Sequence, residues 1–120
     1  MNKTLKPAIS VNLKKPLIRI HKDTLHSIGD PDYILLLVNP IECTLAVLPS
    51  DRSDSKAQHI SKSSLVNKKS FEIYSKSLVQ NLRNLCNDWE NDKAYRIYGE
   101  KIPDKAVIRF DMREAISINE

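Results

Sequence analysis

The sequence predicts an α+β fold in which two β-α-β-β units close into a small barrel-like body, so that one chain forms an internal pseudo-dimer. Two observations carry this. Arg19-Ile20-His21-Lys22-Asp23-Thr24-Leu25 and Glu72-Ile73-Tyr74-Ser75-Lys76-Ser77-Leu78 both read as the end of a strand running into a helix, and Ile20 with Ile73 and Leu25 with Leu78 match at an offset of 53. Each segment is followed by two strand-like runs, in which Tyr33 matches Tyr95 and Leu45 matches Val107 at an offset of 62. A repeat constrains architecture more than any single residue does. The chain is read as one domain over residues 1–120, with unit one at about 14–49, a linker at about 50–69 and unit two at about 70–116.

The elements follow in order. Pro7 to Leu13 alternates apolar and polar residues, the period of a strand. Leu17 to Ile20 is the next strand, and a short helix runs from about Lys22 to Ile28. Gly29 suits the helix end and Pro31 forbids continuation. Tyr33 to Val38 and Cys43 to Leu48 form a hairpin across Asn39 to Glu42. Pro49 to Val66 is rich in serine and poor in large apolar residues, so it reads as a linker with a short strand near Ala57 to Ile60.

Phe71 to Tyr74 opens unit two, and the hydroxyl of Ser75 is placed to cap the following helix. Leu78, Leu82, Leu85 and Trp89 recur on one helical face, while Gln80, Asn81, Arg83, Asn84 and Asn87 cover the other. Ala94 to Tyr98 and Ala106 to Phe110 form the second hairpin. Asp111 is expected to cap a closing helix that ends at Ile116.

Apolar residues make up 41% of the chain and charged residues 28%, an ordinary globular mixture. No apolar run approaches a membrane span, and the first residues hold no signal-like apolar core. Cys43 and Cys86 lie far apart without metal-ligand spacing, which fits free thiols in a cytoplasmic setting. The net charge of +4 is unevenly distributed: residues 1–22, Lys3 among them, sum to +6, residues 23–51 to −5, residues 52–83 to +5 and the remainder to −2. Both positive blocks precede or open a repeat unit, and basic clusters of this kind attract phosphate.

Catalytic chemistry is sparse. His21 and His26 are five positions apart, which does not make a one-face metal pair, and two glycines cannot build a phosphate loop. No catalytic residue, metal or cofactor is expected. Most aromatic residues sit at core-facing positions. Tyr74, at the second strand–helix junction, is the one kept as a base-stacking candidate.

Residues 17–49, from Leu17-Ile18-Arg19-Ile20 through Leu25, Gly29 and Tyr33 to Pro49, resemble the swapped-hairpin unit of AbrB-type transition-state regulators and MraZ-type proteins. Residues 70–111 resemble it weakly. The resemblance implies a swapped-hairpin-like body and DNA binding by basic residues at the strand–helix junction and neighbouring loop. Arg19 falls on the arginine of the family's first strand, and Lys22 opens the helix. The chain departs from the pattern where the family has a proline after the strand, since His21 and Tyr74 stand there. Glu72 occupies the place of Arg19 in unit two, where a carboxylate repels phosphate.

The expectation is therefore a non-enzymatic, bacterial DNA-binding transcriptional regulator. Its candidate contacts are Lys14, Lys15, Arg19, His21, Lys22, Lys62, Lys68, Lys69, Tyr74 and Lys76. It would act as a monomer with internal pseudo-symmetry or as a homodimer. The alternative is a protein-binding inhibitor or adaptor, for example of a mobile element, acting through complementary charge. Clustering of the basic residues on one exposed face favours nucleic acid; scatter with an exposed apolar patch favours a protein.

Overall fold

A computed structural model describes residues 6–86 and 88–119; Lys3 and Asn87 lie outside them. Among the described residues nine strands form a single sheet, antiparallel at every pairing, with the order β5-β3-β4-β8-β7-β1-β2-β6 and with β9 also on β7. The strands are β1 (Ala8–Asn12), β2 (Leu17–His21), β3 (Tyr33–Asn39), β4 (Thr44–Ser50), β5 (Gln58–His59), β6 (Ser70–Tyr74), β7 (Ala94–Lys101), β8 (Ile108–Asp111) and β9 (Ile116–Ile118). Two helices, α1 (Lys22–Ser27) and α2 (Lys76–Leu85), complete a curled half-barrel. The body is strand-dominated and compatible with a small barrel.

The curl is produced at β7. Its first half pairs with β1 through Ala94 to Tyr98, and its last residues, Gly99 to Lys101, pair with β8. Gly99 marks the change of partner. A Cβ there would lie 2.6 Å from Ile108 Cγ2 and 2.6 Å from Phe110 Cε1, so only glycine lets the strand pass this close to the core. The concave side collects Ile9, Val11, Ile18, Ile20, Ile97 and Phe110, all fully buried.

β1 departs from the half-exposed strand expected of its pattern, because all five residues are buried. Its polar residues lie in register between long neighbours, as Ser10 does between Arg19 of β2 and Arg96 of β7. α1 seals the start of β1: the Thr24 hydroxyl accepts the Ala8 N–H and donates to the Ala8 carbonyl, both at 2.9 Å.

In α2, Ser75 is the N-cap and its hydroxyl accepts the Leu78 N–H at 3.2 Å. Leu82 and Val79 are buried, while Leu78 and Leu85 are half-buried against the core. Arg83 is partly covered, since its Nε donates to Asn91 Oδ1 at 3.0 Å. The helix ends at Leu85, before Trp89. That indole is still buried, because the chain turns and stacks it on Tyr95 with ring centroids 4.7 Å apart.

Two further expectations change. The closing helix is only a single 3-10 turn, Met112–Glu114, capped by Asp111 as expected; the chain then extends into β9 on the edge of β7. The linker contains β5 and a 3-10 turn at Lys62–Leu65, which carry the chain from β3 toward β6.

The matched segments occupy parallel positions with adjusted offsets. Ile20 and Ile73 are each the fourth residue of a five-residue strand, and both are buried. Leu25 is the fourth residue of α1, and the fourth of α2 is Val79, also buried; the extra N-cap Ser75 pushes Leu78 out of phase. In the hairpins, Leu36 pairs with Val47 as Gly99 pairs with Phe110, and Val38 with Leu45 as Lys101 with Ile108. These positions stand 63 apart, and Ile108 rather than Val107 lies at that distance from Leu45.

Candidate nucleic-acid interface

Folding brings half of the candidate residues to one place. β2 ends at His21, and α1 begins at Lys22, whose backbone N–H donates to the Lys69 carbonyl at 3.0 Å. That bond extends the β2–β6 pairing, which joins the first basic block to the second. His21, Lys22, Asp23, Lys68 and Lys69 line one shallow groove of about 270 Å³. On the far side of Lys22, a second groove of about 400 Å³ is lined by Lys22, Leu25, His26, Asp30, Lys62, Leu65 and Val66. Lys22 is the shared wall.

Carboxylates temper this field without cancelling it. The first groove sets three lysines against Asp23, to which the Lys6 N–H points at 3.5 Å. In the second, His26 Nδ1 lies 2.6 Å from Asp30 Oδ1. Lys62 Nζ donates to the Asp30 carbonyl at 2.5 Å and lies 3.9 Å from Asp32 Oδ1, so Lys62 is held over the groove by the turn after α1.

The other candidates lie elsewhere. Lys14 and Lys15 sit in the β1–β2 turn, where both backbone N–H groups donate to Asn12 Oδ1 at 3.0 Å. They occupy the opposite end of β2 from Lys22, about 16 Å away for a five-residue strand. Their groove, about 360 Å³, also holds Asp92 and Lys93. Tyr74 pairs in register with Leu17 and is therefore at this same end, 71% exposed, with exposed Lys76 two residues further along the chain. Arg19 lies between the two ends, opposite Glu72 in register, with its Nε 2.9 Å from Glu72 Oε2. Arg19 is thus engaged by the Glu72 carboxylate.

Sequence reading missed Lys93 as a neighbour of Lys14 and Lys15, because it approaches from a distant part of the chain. It also missed Lys6, whose Nζ sits 4.3 Å above the Tyr98 ring.

Among the described residues no three His, Cys, Asp or Glu side chains are grouped to hold a metal ion. His59 packs against Tyr33 with ring centroids 4.8 Å apart. Burial, with a smaller push from Asp88, raises the Cys86 thiol to about 11, so it is a core residue and a poor nucleophile. No described helix is long and apolar enough to cross a membrane. Comparison with protein-family models, curated proteins and solved structures gives no match.

Proposed function

We propose that the protein is a non-enzymatic nucleic-acid-binding module of the transcription-regulator kind. It would contact phosphates through Lys22, Lys62, Lys68 and Lys69, with His21 among them. The observation that carries the reading is the convergence of these lysines, drawn from two sequence blocks, onto adjoining open grooves around α1. Lysines on shallow grooves act as point charges and suit a sequence-tolerant backbone contact. Lys14 and Lys15 form a separate, outlying pair, and Arg19 is a reserve cation neutralised by Glu72.

We further infer that the body arose from two β-α-β-β units. Three features support this. The equivalent strands pair with each other, β2 with β6 and β4 with β8. The two hairpins share one register. The matched isoleucines lie in the same strand position.

The test is salt-titrated binding to random-sequence duplex DNA. Four phosphate contacts give a slope of log K against log salt near about −3.6, at roughly 0.9 per contact. Lys22→Ala, Lys62→Ala and Lys69→Ala should each reduce that slope by about one unit on every sequence, whereas Lys14→Ala should change it little. Glu72→Gln should strengthen binding by removing a carboxylate from the groove that it shares with Lys68. Absence of binding at low salt, where nonspecific attraction is greatest, defeats the reading.

A further inference from the structure

The open edge strands of the sheet are unlike, and β9, which pairs with β7 alone, has only three residues. β5 has two residues and is too short to template another strand. β6 has five, without proline or bulge, and its register with β2 is unbroken. Among the described residues no strand covers its other side.

The hydrogen bonds flanking β6 fix which groups face outward. The Lys22 N–H donates to the Lys69 carbonyl, and the Ser75 N–H donates to the Pro16 carbonyl. In an antiparallel pair the backbone groups of alternate residues point to the same side. Lys69, Phe71, Ile73 and Ser75 therefore point toward β2, and Ser70, Glu72 and Tyr74 present their N–H and C=O groups to the open edge. Beside that edge runs a groove of about 170 Å³, lined by Leu65, Lys68, Ser70, Phe71, Glu72 and Tyr74. Its walls offer two half-buried apolar side chains and one exposed tyrosine ring.

We propose that this edge accepts an extended acidic segment of another protein as an added strand. Charge selects the occupant. Exposed Lys68 and Lys76 stand beyond the two ends of β6, and Glu72 at its centre is neutralised by Arg19 at 2.9 Å. A second copy of the chain is the wrong occupant. The antiparallel register that uses all three outward residues brings Lys68 of one copy toward Lys76 of the other at both ends, and like charges brought together are unfavourable. A segment with alternating apolar residues and acids at both ends meets every one of these features.

The probe is a fluorescein-labelled peptide, Asp-Glu-Val-Thr-Val-Thr-Val-Asp-Glu, added to the full chain and followed by fluorescence anisotropy. Saturable binding is expected, with slowed amide exchange at Ser70, Glu72 and Tyr74. Replacing the four acids by lysine should abolish it. N-methylation of every second peptide nitrogen along one edge should abolish it too, and this arm needs no protein variant. Ser70→Pro removes an outward donor at the first position of an edge strand, where proline is tolerated, and should weaken the peptide by about tenfold or more. The same variant should bind duplex DNA as the parent does, which separates this proposal from the nucleic-acid reading. Absence of binding, equal binding by the N-methylated peptide, or a dimer of the chain that already protects these three amides would each overturn it.

Discussion

Gly99→Ala tests the corner of the sheet directly. The added Cβ would lie 2.6 Å from Ile108 Cγ2, 2.6 Å from Phe110 Cε1 and 2.9 Å from Phe110 Cδ1. Carbon atoms rest about 3.5–4.0 Å apart, so the contacts must open by about 1 Å. Neither neighbour can swing into water, since both are fully buried. The backbone cannot retreat easily either, because the Gly99 N–H donates to the Pro7 carbonyl at 2.9 Å. Overpacking of this kind costs about 1–3 kcal/mol. Against it stands a gain of about 0.5–1 kcal/mol from a less flexible unfolded chain. The net expectation is a loss of up to about 2.5 kcal/mol, seen in urea unfolding as a lower midpoint with unchanged slope. Ile108→Ala removes the Cγ2 that the new Cβ meets, so it should cost less in the Gly99→Ala background than alone, and the two substitutions couple in a double-mutant cycle. Gly29→Ala is the control: its position is open, but φ is +86°, so its cost is backbone strain and should not couple to Ile108. A stabilising Gly99→Ala, or strict additivity with Ile108→Ala, refutes the corner argument.

Two further substitutions probe the core. Leu82→Ala, at a fully buried position of α2, should cost about 2–5 kcal/mol in urea unfolding; a cost within error would mean that this face of α2 is not part of the core. The folded Cys86 thiol ionises near 11, against an ordinary 9.0, so its folded state favours the protonated form. The stability it contributes is full below pH 9.0 and is lost as pH rises toward 11. Cys86→Val should flatten that decline, and at pH 8 a thiol reagent should label half-buried Cys43 well before Cys86. Equal labelling rates contradict the burial of Cys86.

The sequence was most legible where local chemistry and periodicity agreed. The β3–β4 hairpin, the Gly29 stop, the Ser75 cap and the Asp111 cap are all present. Trp89 was read as helical because its spacing from Leu85 fits a helix. In the fold, the chain turns at Cys86 and aromatic stacking buries the ring instead. β9 was missed because Ile116, Ser117 and Ile118 become a strand only through the edge that β7 offers, which is a tertiary effect. The two hairpins match in register at an offset of 63, one more than the 62 between Tyr33 and Tyr95. Burial phase aligns Ile34 with Ile97 and Leu45 with Ile108.

For the candidate site, composition located the basic blocks but could not show which lysines would meet. Lys22 and Lys69 are joined by a backbone hydrogen bond that no pattern in either segment announces. Lys14 and Lys15 lie close to Lys22 in sequence, yet the length of β2 carries them away from it. Proximity along a strand separates charges that proximity along a turn would have gathered.

The pairing of Arg19 with Glu72 yields the last prediction. If the two units descend from one, antiparallel pairing of equivalent strands must set one position against its own counterpart. With an offset of 53 that position is Arg19 and Glu72, which are register partners. In a symmetric dimer of identical units this site would oppose like charges, and a fused chain is free to replace one of them. Glu72→Arg recreates the symmetric arrangement. The present pair is about a quarter exposed on each side, so the pair itself should be worth under about 1 kcal/mol. Two arginines face to face across a strand pair should cost more than its loss, so Glu72→Arg should destabilise more than Glu72→Gln in urea unfolding. The exchange Arg19→Glu with Glu72→Arg should return most of the stability. If Glu72→Arg and Glu72→Gln prove equal at low salt, the two side chains do not feel each other, and the site loses its claim as the point where the two units meet.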